Sequence, residues 1–577
     1  MQKRVWLFRA GFILAMVAIA GKLFQIQILQ HDSWIAKAEE MHIVQSKIPA
    51  TRGEIYMLEN DEPVAVVLNQ SAWTVVIDPQ TANPEKTEKV VGELAKDQMI
   101  AKWEDIFANR NLRYYVAARN VSRDIAKKIR EAELTGVYLI EGNSRVYPEG
   151  ETGSTMLGFV NAEGEGQYGV EGALDEELAG KDGLLKTVTD VNNVALSIGD
   201  ENVRVPAEDG KNIVLTIDRG LERKIENGIR EYLEEKTATH ASALVMDPQT
   251  GKVLAMATVP TYDAANYAKV EDGSVYVNPV TEIAYEPASI CKTFAFAAAI
   301  EEGKMTPETT YYNPGYFTID SQKIENAYKG QLGEITMQTA LNYSLNTGSM
   351  TALMLLGGST QEITAKAREV LYDYYYERFG LGKYTGIELY ESSGTLVGPH
   401  DEVYGFNAFY ANMTFGQNLQ LSMIQVAAAF SSVVNGGNYY RPTIIAGEVT
   451  KEGEFVRAEQ EGPVRRTISE ETSATMRQML YGTRNSRRLY GIDKTGYYIG
   501  GKTGTAQTII DGAYSFDETV ASYVGYGGTE GELPEYVIMV KIWEEGQKIE
   551  GEKDAMPLFD KLSNLTIDYL KIRPKGA

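Results

Sequence analysis

The sequence predicts an α+β chain of several domains. A membrane-length helix stands at the N-terminus and a β-rich unit follows it. In a larger unit after that, one sheet carries a large helical insertion. Three observations predict this. An apolar run fills residues 5 to 28. Short β-rich runs alternate with Gly-rich turns from His31 to about Pro206. From Asn212 the order reads strand, helix, paired strands, several helices, and strands again after Tyr497. The chain has 577 residues, so at about 150 residues per domain three or four units are expected. The expected divisions are residues 1–30, 31–205 and 206–577.

Each element has a local cause. Lys3, Arg4 and Arg9 precede the apolar run and Lys22 interrupts it. A helix there spans a bilayer if Lys22 snorkels to the interface, and the preceding cations keep the N-terminus cytoplasmic. The protein is then a single-pass membrane protein with everything after the run outside the cell membrane. A cleaved signal peptide is the rival reading, because Ala18-Ile19-Ala20 fits a small-x-small cleavage site. In the β-rich unit, Ala72 to Ile77 reads as a strand and Val121 to Glu133 as a surface helix. Ile213 to Ile217 reads as a strand. Leu221, Ile225, Ile229 and Leu233 recur at helical spacing, which predicts a helix from Leu221 to about Lys236. Ala243–Met246 and Val253–Met256 flank a Pro/Gly turn and read as a hairpin. Helices are expected from Ser289 to about Glu302, Met337 to about Leu356, and Gln361 to about Phe379.

Composition excludes several functions. The formal net charge is −23, which argues against a nucleic-acid partner. The one cysteine, Cys291, allows no disulfide within the chain, and the four histidines show no metal-ligand spacing. Hydroxyl, amine, carboxylate and amide groups must carry any chemistry.

Ser289 and Lys292 lie three residues apart in a helical run, a spacing that places hydroxyl and amine on one face. A serine becomes a nucleophile when a base takes its proton, and a lysine serves if burial or a second cation lowers its pKa. Alone, the pair also fits an N-cap serine with an exposed lysine. Cys291 is two positions from Ser289 and has no local histidine, so it reads as a small core residue. Ser344 and Asn346 form a polar pair at the end of a helical stretch. Lys502, Thr503, Gly504 and Thr505 follow Gly500-Gly501 on a strand pattern, where a cation and two hydroxyls can hold a carboxylate. Lys494-Thr495-Gly496 imitates this motif but follows the turn-like Tyr490–Asp493 and lacks its flanks.

In one order, S-x-x-K, S-x-N and K-T-G resemble the motifs of the penicillin-interacting acyl-serine transferases, the penicillin-binding proteins and serine β-lactamases. Flanking runs extend the resemblance. Tyr285-Glu286-Pro287-Ala288-Ser289 is similar to Y-E-P-G-S, with Ala288 in place of Gly. Phe415-Gly416-Gln417-Asn418 is similar to F-G-Q-G, with Asn418 departing. Asn435-Gly436-Gly437 with Pro442, and Phe379-Gly380-Leu381-Gly382 with Thr385-Gly386-Ile387, match further family segments. Upstream, Leu215–Asp218 is similar to the L-T-I-D that starts the transpeptidase domain; Arg52–Ile55, with Tyr56-Met57 where D-R is usual, and Gly169-Val170-Glu171 with Leu178–Gly180 resemble class B penicillin-binding proteins, and Lys22–Gln27 resembles their post-anchor segment.

The resemblance implies a β-rich, non-catalytic pedestal and a transpeptidase domain with an antiparallel sheet and a helical subdomain. It implies peptidoglycan D,D-transpeptidation through an acyl-serine, inhibition by β-lactams, no cofactor, and a membrane-embedded glycan polymerase as partner. By resemblance Ser289 is the nucleophile, Lys292 the base, Ser344 a proton relay and Asn346 the amide that orients Lys292 and the substrate amide. Lys502, Thr503, Gly504 and Thr505 would bind the substrate carboxylate, and the N–H groups of Ser289 and Thr505 would form an oxyanion hole. A β-lactamase or β-lactam sensor, with Glu369, Glu377, Glu388 or Glu391 activating water, and a D,D-carboxypeptidase are the alternatives. Glu104-Asp105-Ile106-Phe107 resembles only a fragment of a glycosyltransferase signature.

Overall fold

The computed structural model describes residues 2–31, 43–188, 203–401, 405–486, 493–510 and 513–576. Two compact units are formed, one from residues 1–53 with 179–211 and one from residues 54–178 with 212–577. In the first unit, the helix Gln2–Phe24 runs on into a wide turn, Gln25–Leu29. Within Trp6–Leu29 an 18-residue stretch reaches a mean hydropathy of 2.0, and Phe8, Leu14 and Leu29 are exposed, so this helix is long and apolar enough to cross a membrane. The same unit holds an antiparallel sheet of Ile43–Ile48, Gly183–Val188 and Val203–Val205.

The second unit contains two large sheets. In the first, Glu62–Ile77 pairs along its near half with Ile55–Glu59 and along its far half with Val137–Val146. The expected strand at Ala72–Ile77 is the end of this longer one. Asn212–Asp218 lies parallel to Ile55–Glu59 and antiparallel to Ile445–Val449 in the same sheet. The expected Val121–Glu133 helix is shorter, Arg123–Glu131. Val121 still belongs to a strand, and Ser122 caps the helix by accepting the Ile125 N–H.

The second sheet frames the site. Its strands, in order, are Val253–Val259, His240–Met246, Tyr536–Trp543, Ala513–Gly527 and Gly500–Ile510. All neighbours are antiparallel, and the expected hairpin pairs Leu244 with Met256. The helix Arg219–Leu233 packs on one face, capped by Asp218, whose carboxylate accepts the Gly220 and Leu221 N–H groups. Its Leu221, Ile225, Ile229 and Leu233 are buried against Ala243, Val245, Phe559 and Leu562. Each such side chain contributes roughly 1.5–3 kcal/mol. The helical insertion covers the other face, where Phe294, Leu345 and Phe379 share a core with Val524 and Met539.

Three expected helices are corrected. The Met337–Leu356 stretch breaks into Met337–Asn342 and Asn346–Leu356. Ser344 has φ +53°, the Leu345 N–H bonds the Ala340 carbonyl at 2.8 Å and the Ser344 N–H bonds Leu341 at 3.1 Å. This is a Schellman closure with serine where glycine is usual, so apolar periodicity carries across a break it cannot reveal. The Ser289–Glu302 helix opens as a 3-10 turn, Ala288–Cys291, and becomes α-helical only from Lys292 to Glu301. The Gln361–Phe379 helix starts after the Thr364 cap, as Ala365–Tyr372, and widens into a π-turn at Asp373–Arg378.

Candidate active site

The chain reaches the site through a strained turn. Ala288 has φ +50°, a left-handed conformation that is unfavourable for a residue with a Cβ and explains why glycine suits this place. Its N–H donates to the Gly416 carbonyl at 3.2 Å. A Cβ on Gly416 would lie 2.1 Å from the Ala288 oxygen, so the Phe415–Asn418 turn sits directly against the segment that presents Ser289. On the other side runs Gly500–Ile510, the last strand of its sheet. A Cβ on Gly504 would fall 2.5 Å from the Pro287 oxygen. Glycine at 504 lets this edge strand approach the turn closely.

Four of the expected residues meet in this cleft. Lys292 Nζ lies 2.9 Å from Ser289 Oγ, 2.6 Å from the Ser344 carbonyl oxygen and 3.2 Å from Ser344 Oγ. Lys502 Nζ donates to the same Ser344 hydroxyl at 2.9 Å. Lys292 and Lys502 are each 1% exposed. Burial lowers the Lys292 pKa well below the usual lysine range, and the nearby Lys502 charge lowers it further. The left-handed conformation at Ser344 belongs to the Schellman closure, and Lys292 takes the carbonyl of this same residue.

The other expected residues lie around this centre. Thr503 offers its carbonyl oxygen to Lys502 at 3.2 Å. Thr505 is exposed, and its Oγ1 accepts the Gly551 N–H at 2.9 Å. The Asn346 amide donates to the Glu325 carbonyl at 2.8 Å, and among the described residues its side chain makes no hydrogen bond to Lys292. Lys494 forms an ion pair with Asp568; residues 490–492 of the turn before it lie outside the described residues. Cys291 is fully buried, and burial pushes its thiol pKa up, away from a reactive thiolate.

The four glutamates considered as water-activating bases are engaged elsewhere. Glu377 pairs with Lys383 at 2.6 Å and Glu369 faces His400 at 3.9 Å. Glu388 accepts from Thr443 and the Ile444 N–H, and Glu391 from Thr385 and the Gly386 N–H. Among the described residues no cluster of three metal-ligating side chains occurs.

Neither Glu286 nor the turn it contacts has a role among the residues expected from the sequence. The signal available was Gly416-Gln417-Asn418, a turn-forming run whose first and third residues tolerate left-handed backbone; Gly416 has φ +77° and Asn418 +62°.

A serine within hydrogen-bond reach of a buried lysine is a nucleophile–base pair suited to acyl transfer, and comparison with known proteins narrows the class. Residues 241–564 match the penicillin-binding protein transpeptidase domain and residues 47–215 the penicillin-binding protein dimerisation domain. Stage V sporulation protein D of Bacillus subtilis is 28% identical, over 98% of this chain and 85% of its own. Peptidoglycan D,D-transpeptidase FtsI of Escherichia coli is 24% identical, over 97% of this chain and 91% of its own. A peptidoglycan synthetase from Bifidobacterium adolescentis shares the fold with a TM-score of 0.71 at 20% identity, covering 93% of this chain and 98% of that one. Penicillin-binding protein 3 of Mycobacterium tuberculosis, solved with aztreonam, does so with a TM-score of 0.67 at 23% identity, covering 92% and 98%. The chain belongs to the penicillin-binding protein transpeptidase family, as a class B member: a serine-type peptidoglycan D,D-transpeptidase of cell-wall synthesis.

Proposed function

We propose that Ser289 attacks the penultimate D-Ala carbonyl of a peptidoglycan stem peptide, with neutral Lys292 as the base. The observation that carries this reading is the set of three contacts at Lys292 Nζ. A neutral amine has two N–H donors and one lone pair. Ser344 offers two acceptors, its carbonyl oxygen and its hydroxyl, which leaves the lone pair for the Ser289 proton. The serine oxygen bonds to the carbonyl carbon as its proton passes to Lys292. The backbone N–H groups of Ser289 and Thr505 stabilise the resulting oxyanion, at about 3 kcal/mol per donor. The Ser344 hydroxyl, held by Lys502 at 2.9 Å, relays the proton from Lys292 to the departing D-Ala amine.

Lys502, Thr503 and Thr505 hold the terminal carboxylate, while Gly504 lets their strand come close. Asn346 orients the substrate amide from its seat on Glu325. The amine of a second stem peptide then attacks the acyl-enzyme, displaces Ser289 and closes the cross-link. β-Lactams acylate the same serine. Residues 31–205 serve as a non-catalytic pedestal for residues 206–577. The N-terminal helix anchors the protein with its start in the cytoplasm and the catalytic cleft outside, beside a membrane-embedded glycan polymerase.

The engagement of Glu369, Glu377, Glu388 and Glu391 away from Ser289 favours slow hydrolysis of the acyl-enzyme over β-lactamase turnover. Cross-linking of lipid-linked precursor by wild type and Ser289→Ala tests the reading. Cross-linked product from wild type and none from Ser289→Ala is expected, with a labelled penicillin retained by wild type for many minutes in a chase. Equal product from both proteins contradicts the assigned nucleophile, and rapid release of hydrolysed penicillin contradicts the assigned reaction.

A further inference from the structure

Glu286 stands three residues before the proposed nucleophile and takes no part in the mechanism above. It is 9% exposed and meets no cation among the described residues. One carboxylate oxygen, Oε1, accepts two bonds. The Asn418 N–H donates at 2.9 Å and the Tyr514 hydroxyl at 2.8 Å. The other oxygen, Oε2, is buried with no hydrogen-bond partner.

These bonds join three segments that wall one cleft. Glu286 itself leads into the strained Ala288 turn and Ser289. Asn418 ends the turn whose Gly416 carbonyl holds the Ala288 N–H. Tyr514 lies on the Ala513–Gly527 strand, hairpin partner of Gly500–Ile510, which carries Lys502 to Thr505. A second, longer contact joins the same turn and strand: the Gln417 amide donates to Gln507 at 3.4 Å. The left-handed conformation of Ala288 is one that a residue with a Cβ keeps only when its surroundings enforce it. Glu286 and Gly416 are those surroundings.

We propose that Glu286 is a positioning residue that clasps the Ser289 turn to the strand bearing Lys502 and so sets the spacing across which acyl transfer occurs. It acts through one oxygen as an acceptor, with bonds from the Asn418 N–H and the Tyr514 hydroxyl. Burial raises its pKa, and the hydrogen bonds from Tyr514 and Asn418 oppose that rise. Glutamine keeps an acceptor oxygen for Asn418 and Tyr514, whereas alanine removes it.

This inference rests on Ser289 as the nucleophile, and the experiment separates the two. Second-order acylation by a fluorescent penicillin is measured, together with thermal midpoints, for wild type, Ser289→Ala, Glu286→Gln, Glu286→Ala, Tyr514→Phe and the Glu286→Ala/Tyr514→Phe double variant. Displacing a reacting group by about an ångström slows reaction by roughly 100-fold, so Glu286→Ala is expected to lose about 10- to 100-fold. Glu286→Gln is expected to stay within about threefold of wild type, since it keeps the acceptor. Tyr514→Phe falls between them, and the double variant is no slower than Glu286→Ala because both changes break one clasp. A Glu286→Ala rate equal to wild type, a Glu286→Gln rate as slow as Glu286→Ala, or losses that follow lowered thermal midpoints overturn the clasp while leaving Ser289 in place. Labelling that survives Ser289→Ala overturns both readings.

Discussion

Lys292→Met is expected to slow acylation by a penicillin by roughly 100- to 10,000-fold, the range that a well-placed general base contributes. The change leaves an unbranched side chain of similar length in a fully buried place, so packing survives while the base is lost. It also removes a buried amine from beside Lys502, which contributes to lowering the Lys292 pKa. Thermal stability at neutral pH is therefore expected to hold. The sign of the pH dependence follows from the same shift. A lysine depressed by burial is neutral at pH values where a free lysine is charged, so wild-type acylation extends to pH values below the usual lysine range. Acylation falls as pH drops through the lowered Lys292 pKa, because protonation takes the lone pair that accepts the Ser289 proton. In Lys292→Met that falling limb disappears. A variant that keeps the wild-type rate, or the same acid limb, assigns the base elsewhere. Stopped-flow acylation across pH with both proteins makes the comparison.

Gly504→Ala is expected to cost a comparable amount for a steric reason. The added Cβ falls 2.5 Å from the Pro287 oxygen, 2.5 Å from Ser522 Oγ and 3.4 Å from Ile290 Cδ1. The first of these is backbone and cannot turn aside, so the strand must retreat from the Ser289 turn. Relief by roughly an ångström would slow acylation about 100-fold. Lys502 and Thr505 move with that strand, so the proposed proton relay and oxyanion hole are both expected to be disturbed. Full-rate acylation by Gly504→Ala would mean that this close approach plays no part in the reaction.

The legible part of this protein was local. Leu221, Ile225, Ile229 and Leu233 announced a helix by spacing, and Ala243–Met246 with Val253–Met256 announced a hairpin by the turn between them. Ser289 and Lys292 were readable as neighbours because three residues bring side chains to one helical face, and the 3-10 turn preserves that relation at 2.9 Å. The convergence of Ser344 and Lys502 on Lys292 has no local signature. Their sequence positions are far from Ser289, and only the resemblance of three ordered motifs linked them.

The backbone breaks were hidden for a different reason. Ala288 and Ser344 adopt left-handed conformations that glycine or asparagine would have advertised. Tertiary contacts enforce them, through Gly416 at one and the Leu345-to-Ala340 closure at the other. Glu286 falls within the run that resembles Y-E-P-G-S, but the motif says nothing of what its carboxylate contacts. Its role emerges only when Asn418 and Tyr514 are folded onto it. The joining of residues 54–178 with 212–577 in one compact unit was equally invisible, since it depends on strands from both stretches sharing a sheet.

The central claim is that Ser289, activated by Lys292, is the atom that becomes acylated. Peptide mapping by mass spectrometry after brief exposure of the full-length protein to a penicillin tests it most directly. One penicilloyl group, ring-opened and of the full mass of the penicillin, is expected on the peptide that holds Ser289, with fragmentation assigning the ester to that hydroxyl and leaving Cys291 unmodified. An adduct on Cys291, on Ser344 or on any peptide outside the cleft would contradict it.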